Sequence, residues 1–275
     1  MTRNSFITDE RITHEGVVGT FLRRVKEGQL GSFPVIFALI VIVIVFQTAD
    51  SNFISPANLV NLSTQVAFLA ILALGINLIL LLGEIDLSLA QLGGLAASLL
   101  GVLVVRQGVP PALALVIMLL LGLVVGAIQG WFFAVVGIPA FVVTLAGLLA
   151  FTGLTLTTLG TQKNLSMSDT FAFDFASFYF PAIWAYVFGA IAIIGFGVGI
   201  IYSKLRRHRE GLSAPSWTSV IVRIVLLAAI VFGFLILVNQ DFGLAMPFFL
   251  MIVIAIIIDL VLRKTRYGRS IYAVG

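Results

Sequence analysis

Two carboxylates, Glu84 and Asp86, stand two residues apart in the run Gly83-Glu84-Ile85-Asp86-Leu87-Ser88, inside an otherwise apolar stretch that extends over 66–105. Burying an ionised carboxylate in hydrocarbon costs several kcal/mol unless it is paired or hydrated. A chain that keeps such a cluster must present it to water, to a partner charge or to a cargo. Three arrangements meet that need. The cluster is a short hairpin at the water surface with solvated charges. It is a helix broken inside the membrane, where Asp86 or Ser88 caps the following half-helix and the freed backbone lines a cavity. Or one carboxylate pairs with a basic group on another helix or subunit. Its position on the basic side of the membrane suits the hairpin, whereas the lack of any Lys or Arg beside it argues against a plain cytoplasmic turn.

Asn77, Gln91, Gln129 and Thr144 are further polar residues inside apolar segments. Amides and hydroxyls offer donors and acceptors without fixed charge, which suits a hydroxylated cargo. The same groups serve equally in hydrogen bonds between helices. Asp259 stands four residues before Arg263, the spacing of an ion pair along one helix. The only histidines, His14 and His208, lie in basic flanks, and there is no cysteine. No metal site, cofactor or nucleophile–base set is therefore expected. Neither a G-x-S-x-G elbow nor a G-x-x-x-x-G-K-[ST] phosphate loop occurs. Energy for any transport must come from an ion gradient or from a partner, and the chain is not expected to be an enzyme.

The elements that hold these groups follow from composition. The chain has 275 residues, 60% hydrophobic and 10% charged, against about 25% charged in soluble domains. A membrane-crossing helix needs ~20 apolar residues to span ~30 Å of hydrocarbon. The expected fold is all-α, a polytopic transmembrane bundle of about eight spans at 33–49, 66–83, 87–105, 111–136, 140–159, 181–202, 217–238 and 246–262. Pro111, Pro139, Pro181 and Pro247 mark starts, where a missing N–H costs nothing. Three segments result: 1–32, a cytoplasmic stretch with an interfacial amphipathic helix over 14–30; 33–262, the membrane domain; and 263–275, a basic cytoplasmic tail. The loop 160–180 carries Phe173, Phe175, Phe178, Tyr179 and Phe180, suited to a membrane interface.

Thirteen basic residues fall on one side: Arg3, Arg11, Arg23, Arg24, Lys26, Lys204, Arg206, Arg207, Arg209, Arg263, Lys264, Arg266 and Arg269. The other side holds Arg106 and Lys163. This bias puts both termini in the cytoplasm. Basic residues so placed suit a lipid surface and not nucleic acid. Arg223 lies within a span near its inner end, where its stem lets the charge snorkel. Gly122, Gly126 and Gly130, four residues apart, form a smooth helix face, and Gly93, Ala97 and Gly101 repeat the device. Such faces admit a second helix closely, within the chain or in a dimer.

Four segments carry a family resemblance. Gly83-Glu84-Ile85-Asp86-Leu87-Ser88-Leu89 resembles the I-D-L-S-V-G signature of sugar permeases in bacterial ABC importers. Ile138 to Gly147, the pair Met246-Pro247, and Tyr267 to Gly275 resemble further family segments in the same order and spacing. Glu84 and the basic insertion Lys204–Arg209 are most similar to xylose-type permeases, as against ribose-type ones.

The resemblance implies the pore-forming permease subunit of an ATP-driven monosaccharide importer, with xylose or a related pentose as cargo. It implies a second permease copy, a cytoplasmic ATP-binding subunit and a periplasmic or extracellular sugar-binding protein. Localisation would be the bacterial inner membrane. Family members continue past the segment that docks on the ATPase, so this chain is similar to their N-terminal part. Gly268, Arg269, Tyr272 and Gly275 would lie at the ATPase side. The pathway residues expected are Asn77, Glu84, Asp86, Ser88, Gln91, Gln129 and Thr144, with the second to fifth spans around it. The rival readings are a gradient-driven secondary transporter and a non-transporting membrane scaffold fragment.

Overall fold

The computed structural model describes residues 33–161, 165–168, 170–212 and 214–275. The expected interfacial helix over 14–30, together with Lys163 and Asp169, lies outside them. The chain divides into two compact units, Met1–Ile54 and Ser55–Gly275.

In the first unit, α1 runs Phe33–Ala49 and is apolar along its length. The Gln47 side chain closes the turn that follows it. Its amide nitrogen donates to the Ser51 carbonyl at 3.0 Å, and its oxygen accepts from Ile54 N at 2.9 Å. Phe46 stacks on Phe53 with ring centroids 5.3 Å apart.

Among the described residues, the second unit contains seven helical runs long and apolar enough to cross a membrane, α3 and α4 counted with their π-helical ends. They are α2 (Pro56–Leu80), α3 (Leu89–Gly101), α4 (Pro111–Trp131), α5 (Ala140–Leu159), α7 (Ala182–Arg209), α8 (Trp217–Val238) and α9 (Met246–Lys264). Two short helices, α6 (Phe171–Ala176) and α10 (Arg266–Val274), complete the set. The α3 and α4 helices each finish in one π-helical turn, Val102–Arg106 and Phe132–Val136. Proline stands at or just before the start of α2, α4, α5, α7 and α9, as the first helical turn permits. The all-α polytopic architecture read from composition is the one observed, with seven long spans and the 17-residue α1.

Three differences from the sequence expectation have local causes. The second span starts ten residues early, because Ser55 accepts a capping bond from Asn58 N at 3.4 Å and Pro56 opens the helix. The polar residues Asn58, Asn61, Ser63, Thr64 and Gln65 thus fall inside α2. The sixth span runs on through the basic segment to Arg209. Tyr179–Phe180 (β1) and Leu244–Ala245 (β2) form a two-residue antiparallel ladder. Phe180 therefore packs inward, 5.2 Å from Phe188 and 5.0 Å from Phe249 between centroids, while Phe173, Phe175 and Phe178 stay exposed.

Two groups of helices result. The first is α3 with α4 and α5, where α3 and α5 make the closest pair. The second is α2 with α9 and α8, and α8 with α7. Its core gathers Val60, Ala185, Leu235, Val238 and Leu244 beneath the ladder. The α7–α8 hairpin keeps one register along its length: a Cβ on Gly189 would meet Val231 and Leu235, one on Gly197 would meet Ile224, and Lys204 meets Trp217. Arg106 donates to the Thr158 and Leu159 carbonyls at 3.4 and 2.8 Å, which satisfies the end of α5 where orphan carbonyls carry negative charge.

Candidate functional site: a polar junction at the break between α2 and α3

The helix ends at Leu80 and resumes at Leu89. Gly83 takes φ 77°, a backbone state that side chains disfavour, and so turns the chain. Asp86 then organises the re-entry. Its Oδ1 accepts from Ser88 N at 2.6 Å and from Ser88 Oγ at 2.8 Å. Ser88 is the N-cap of α3, but its hydroxyl makes no capping bond. It faces α4 instead, where Gln129 Nε2 donates to Ser88 Oγ at 3.0 Å. The chain of donors runs Gln129 to Ser88 to Asp86, and Ser88 is completely buried.

The α5 helix supplies the fourth wall. A Cβ on Gly147 would lie 2.6 Å from Gln129 Nε2 and 3.2 Å from Ser88 Cβ. Glycine is what lets the amide reach the hydroxyl. Thr144, also buried, donates chiefly to the Ala140 carbonyl at 2.9 Å and lies 3.4 Å from the Ile85 carbonyl. Gln129 precedes the end of its helical run at Val136 by seven residues, and Gly147 follows Ala140 by seven. At 1.5 Å per residue the junction is about 10 Å in from the ends of those helices.

The turn between Leu80 and Leu89 is common to the surface hairpin and the broken helix, which differ only in where the membrane lies. No ion pair joins Glu84 or Asp86 to a cation among the described residues, and both carboxylates are half-buried. An unpaired carboxylate must be hydrated wherever the membrane lies. Next to Gln129 and Gly147, α4 and α5 flank an open apolar groove of about 440 Å³ that includes Phe132, Val143 and Phe151.

The expected pathway residues therefore separate. Asp86, Ser88, Gln129 and Thr144 meet at the junction, and Gly147, quoted in the sequence only as the end of a family segment, joins them. Asn77 is elsewhere, in an open groove of about 750 Å³ between α2 and α9 that also holds Asp259. Asp259 pairs with Arg263 at 2.6 Å, as the spacing predicts. Gln91, half-buried on α3, and Glu84 make no side-chain hydrogen bond among the described residues. Intrachain packing at the small residues occurs only at Gly101, against Leu165; a Cβ on Gly93, Gly122, Gly126 or Gly130 would have no described atom within 4 Å, and Ala97 is exposed. Gly268 is buried against the Leu262 backbone and Gly275 touches Leu81, whereas Arg269 and Tyr272 are exposed on α10.

Long apolar helices around a hydrogen-bonded polar junction are the architecture of a multi-pass membrane protein. Residues 58–275 match the family described as branched-chain amino acid transport system / permease component, and the chain belongs to that permease family. It is a multi-pass protein of the bacterial inner membrane. It is 34% identical over 253 residues to the xylose transport system permease protein XylH of Escherichia coli (strain K12), covering 91% of this chain and 64% of that protein. With XylH of Haemophilus influenzae it shares 31% over 253 residues, covering 92% and 67%. The ribose import permease protein RbsC of Escherichia coli (strain K12) is 32% identical over 139 residues, 49% of this chain and 42% of that one. The chain thus spans less than two thirds of the length of the Escherichia coli relative. No solved structure gives a significant match.

Proposed function

We propose that the chain forms part of the translocation path of an ATP-driven monosaccharide importer that carries xylose or a related pentose. The family membership and the xylose transport named for its relatives support the cargo class. The observation that carries the reading is the junction itself: Asp86, Ser88 and Gln129 form a hydrogen-bonded crossing of three helix segments at the turn between α2 and α3. Irregular backbone at membrane depth is tolerated where it is buried in protein or lines a water-filled cavity. A hydroxylated cargo exchanges hydrogen bonds with amide and hydroxyl groups without meeting a fixed positive charge.

ATP hydrolysis belongs to a separate cytoplasmic subunit, because this sequence holds no phosphate loop. The exposed Arg269 and Tyr272 on α10 form the contact side for it, with Gly268 and Gly275 seating that helix against α9 and the end of α2. A sugar-binding protein delivers the cargo from the other side. A second permease copy completes the pore, with the open glycine faces of α3 and α4 available to it. The test is labelled xylose uptake by vesicles containing the whole permease with its ATP-binding and sugar-binding partners. Uptake that requires ATP and drops at least tenfold in Asp86→Ala, with insertion intact, supports the reading. Uptake that survives without ATP and collapses with an uncoupler contradicts it.

A further inference from the structure

The turn joining α7 to α8 carries more positive charge than its one described ion pair, Arg206 with Glu210, offsets. Lys204 is nine-tenths buried, with 9% of its surface exposed. Its Nζ sits 3.9 Å from the centroid of the Trp217 ring, at the first residue of α8. No carboxylate pairs with it among the described residues. The nearest acid along the chain, Glu210, is engaged by Arg206 at 2.8 Å. Arg207, His208 and Arg209 finish α7 and are exposed. Arg223 is exposed, six residues beyond Trp217 within the apolar α8, and has no partner among the described residues.

These groups lie at the end of α7 and along the first two turns of α8. Ser216, Ser219 and Arg223 share a face of α8, at spacings of three and four residues. The Ser216 hydroxyl already accepts the Ser219 N–H at 3.2 Å, which orders the first turn. The remaining free N–H groups of that turn add positive potential. The antiparallel register sets Lys204 beside this end of α8. An excess of unpaired positive charge therefore surrounds a helix start, flanked by the exposed rings of Tyr202 and Trp217.

We infer that this corner binds the phosphate of an anionic phospholipid. Depth selects a lipid over a soluble anion. Arg223 lies about 9 Å along the helix from Trp217, and aromatic rings of this kind mark the headgroup level. An arginine at that depth lifts its guanidinium towards a headgroup phosphate, and basic pockets between spans on the cytoplasmic side hold such headgroups. The bound lipid would tie the α7–α8 hairpin to its bilayer. This site is separate from the polar junction and does not depend on what the junction carries.

The test uses the full chain purified in neutral detergent and titrated with phosphatidylglycerol, with phosphatidylcholine and glycerol 3-phosphate as probes. Native mass spectrometry counts the lipid retained. We expect one phosphatidylglycerol held per chain in preference to phosphatidylcholine, with Lys204→Gln and Arg223→Gln each weakening retention about fivefold. Lys204→Arg should retain the lipid, and Lys264→Gln, on the basic tail, should leave it unchanged. Equal retention of the two lipids, wild-type retention in both glutamine variants, or an equal loss in Lys264→Gln would overturn the site. So would displacement of the lipid by millimolar glycerol 3-phosphate, which would reveal a soluble-anion site.

Discussion

The α7–α8 hairpin and the α3–α4–α5 junction are held together by opposite means. The hairpin meets along glycines and branched side chains, with a constant register from Tyr186 on Phe232 to Lys204 on Trp217. Nothing polar crosses its middle among the contacts described. The junction makes its closest polar contacts through three side chains, Asp86, Ser88 and Gln129, around a helix that has stopped and restarted. Packing of the first kind resists any relative movement, since every ångström costs contact. A short hydrogen-bond relay exchanges partners with water or a hydroxyl at small net cost. The difference teaches where movement belongs: the hairpin is the frame and the junction is the part that can open.

That contrast can be broken at either end. The largest effect is expected in the frame. A Cβ at Gly189 would lie 2.6 Å from Leu235 Cδ1, so Gly189→Val should destabilise the chain by about 3 kcal/mol. Thermal melting in detergent reads this as a clear loss of midpoint. Next comes Asp86→Ala, which leaves the Ser88 N–H and hydroxyl without their acceptor, at about 2 kcal/mol. Its mark should be transport lost beyond what stability explains, with Asp86→Asn partly restoring it, since the amide oxygen still accepts. Gly147→Ala is subtler. The new methyl pushes back only the flexible end of Gln129, so about 1 kcal/mol should go with the Gln129–Ser88 bond. A double variant with Gln129→Leu should then show no further loss, because the bond is already gone. The smallest change is Asp259→Asn. Its exposed pair with Arg263 along one helix should contribute only about 0.4 kcal/mol, within the error of most melts.

Much of this was legible in the residues. The α4, α5 and α8 limits follow from Pro111, Pro139 and the run of apolar residues after Trp217. The acidic break was visible because two carboxylates in an apolar stretch demand an explanation. Its form was not, since solvated hairpin, broken helix and ion pair share one local sequence. Gly147 was legible only as the end of a family segment and not as a site residue, because its role comes from Gln129 on another helix. The early start of α2 was hidden by five polar residues that read as loop until the Ser55 cap is seen. The β1–β2 ladder has two residues per strand, too few for any alternation to register. The glycine stripe on α4 misled in the other direction. Spacing predicts a close neighbour within the chain or in a dimer, and among the described residues of this chain the face is open.

The central claim is that the break at Glu84–Ser88 faces water while the outer surfaces of its helices face lipid. The chain has no cysteine, so single cysteines can report this without background. Ile85→Cys and Leu123→Cys place a thiol at two exposed positions, one in the break and one on α4. A membrane-impermeant thiol reagent, applied from each side of sealed vesicles, should label the first from one side only and leave the second unmodified. Equal protection of both positions would contradict the account.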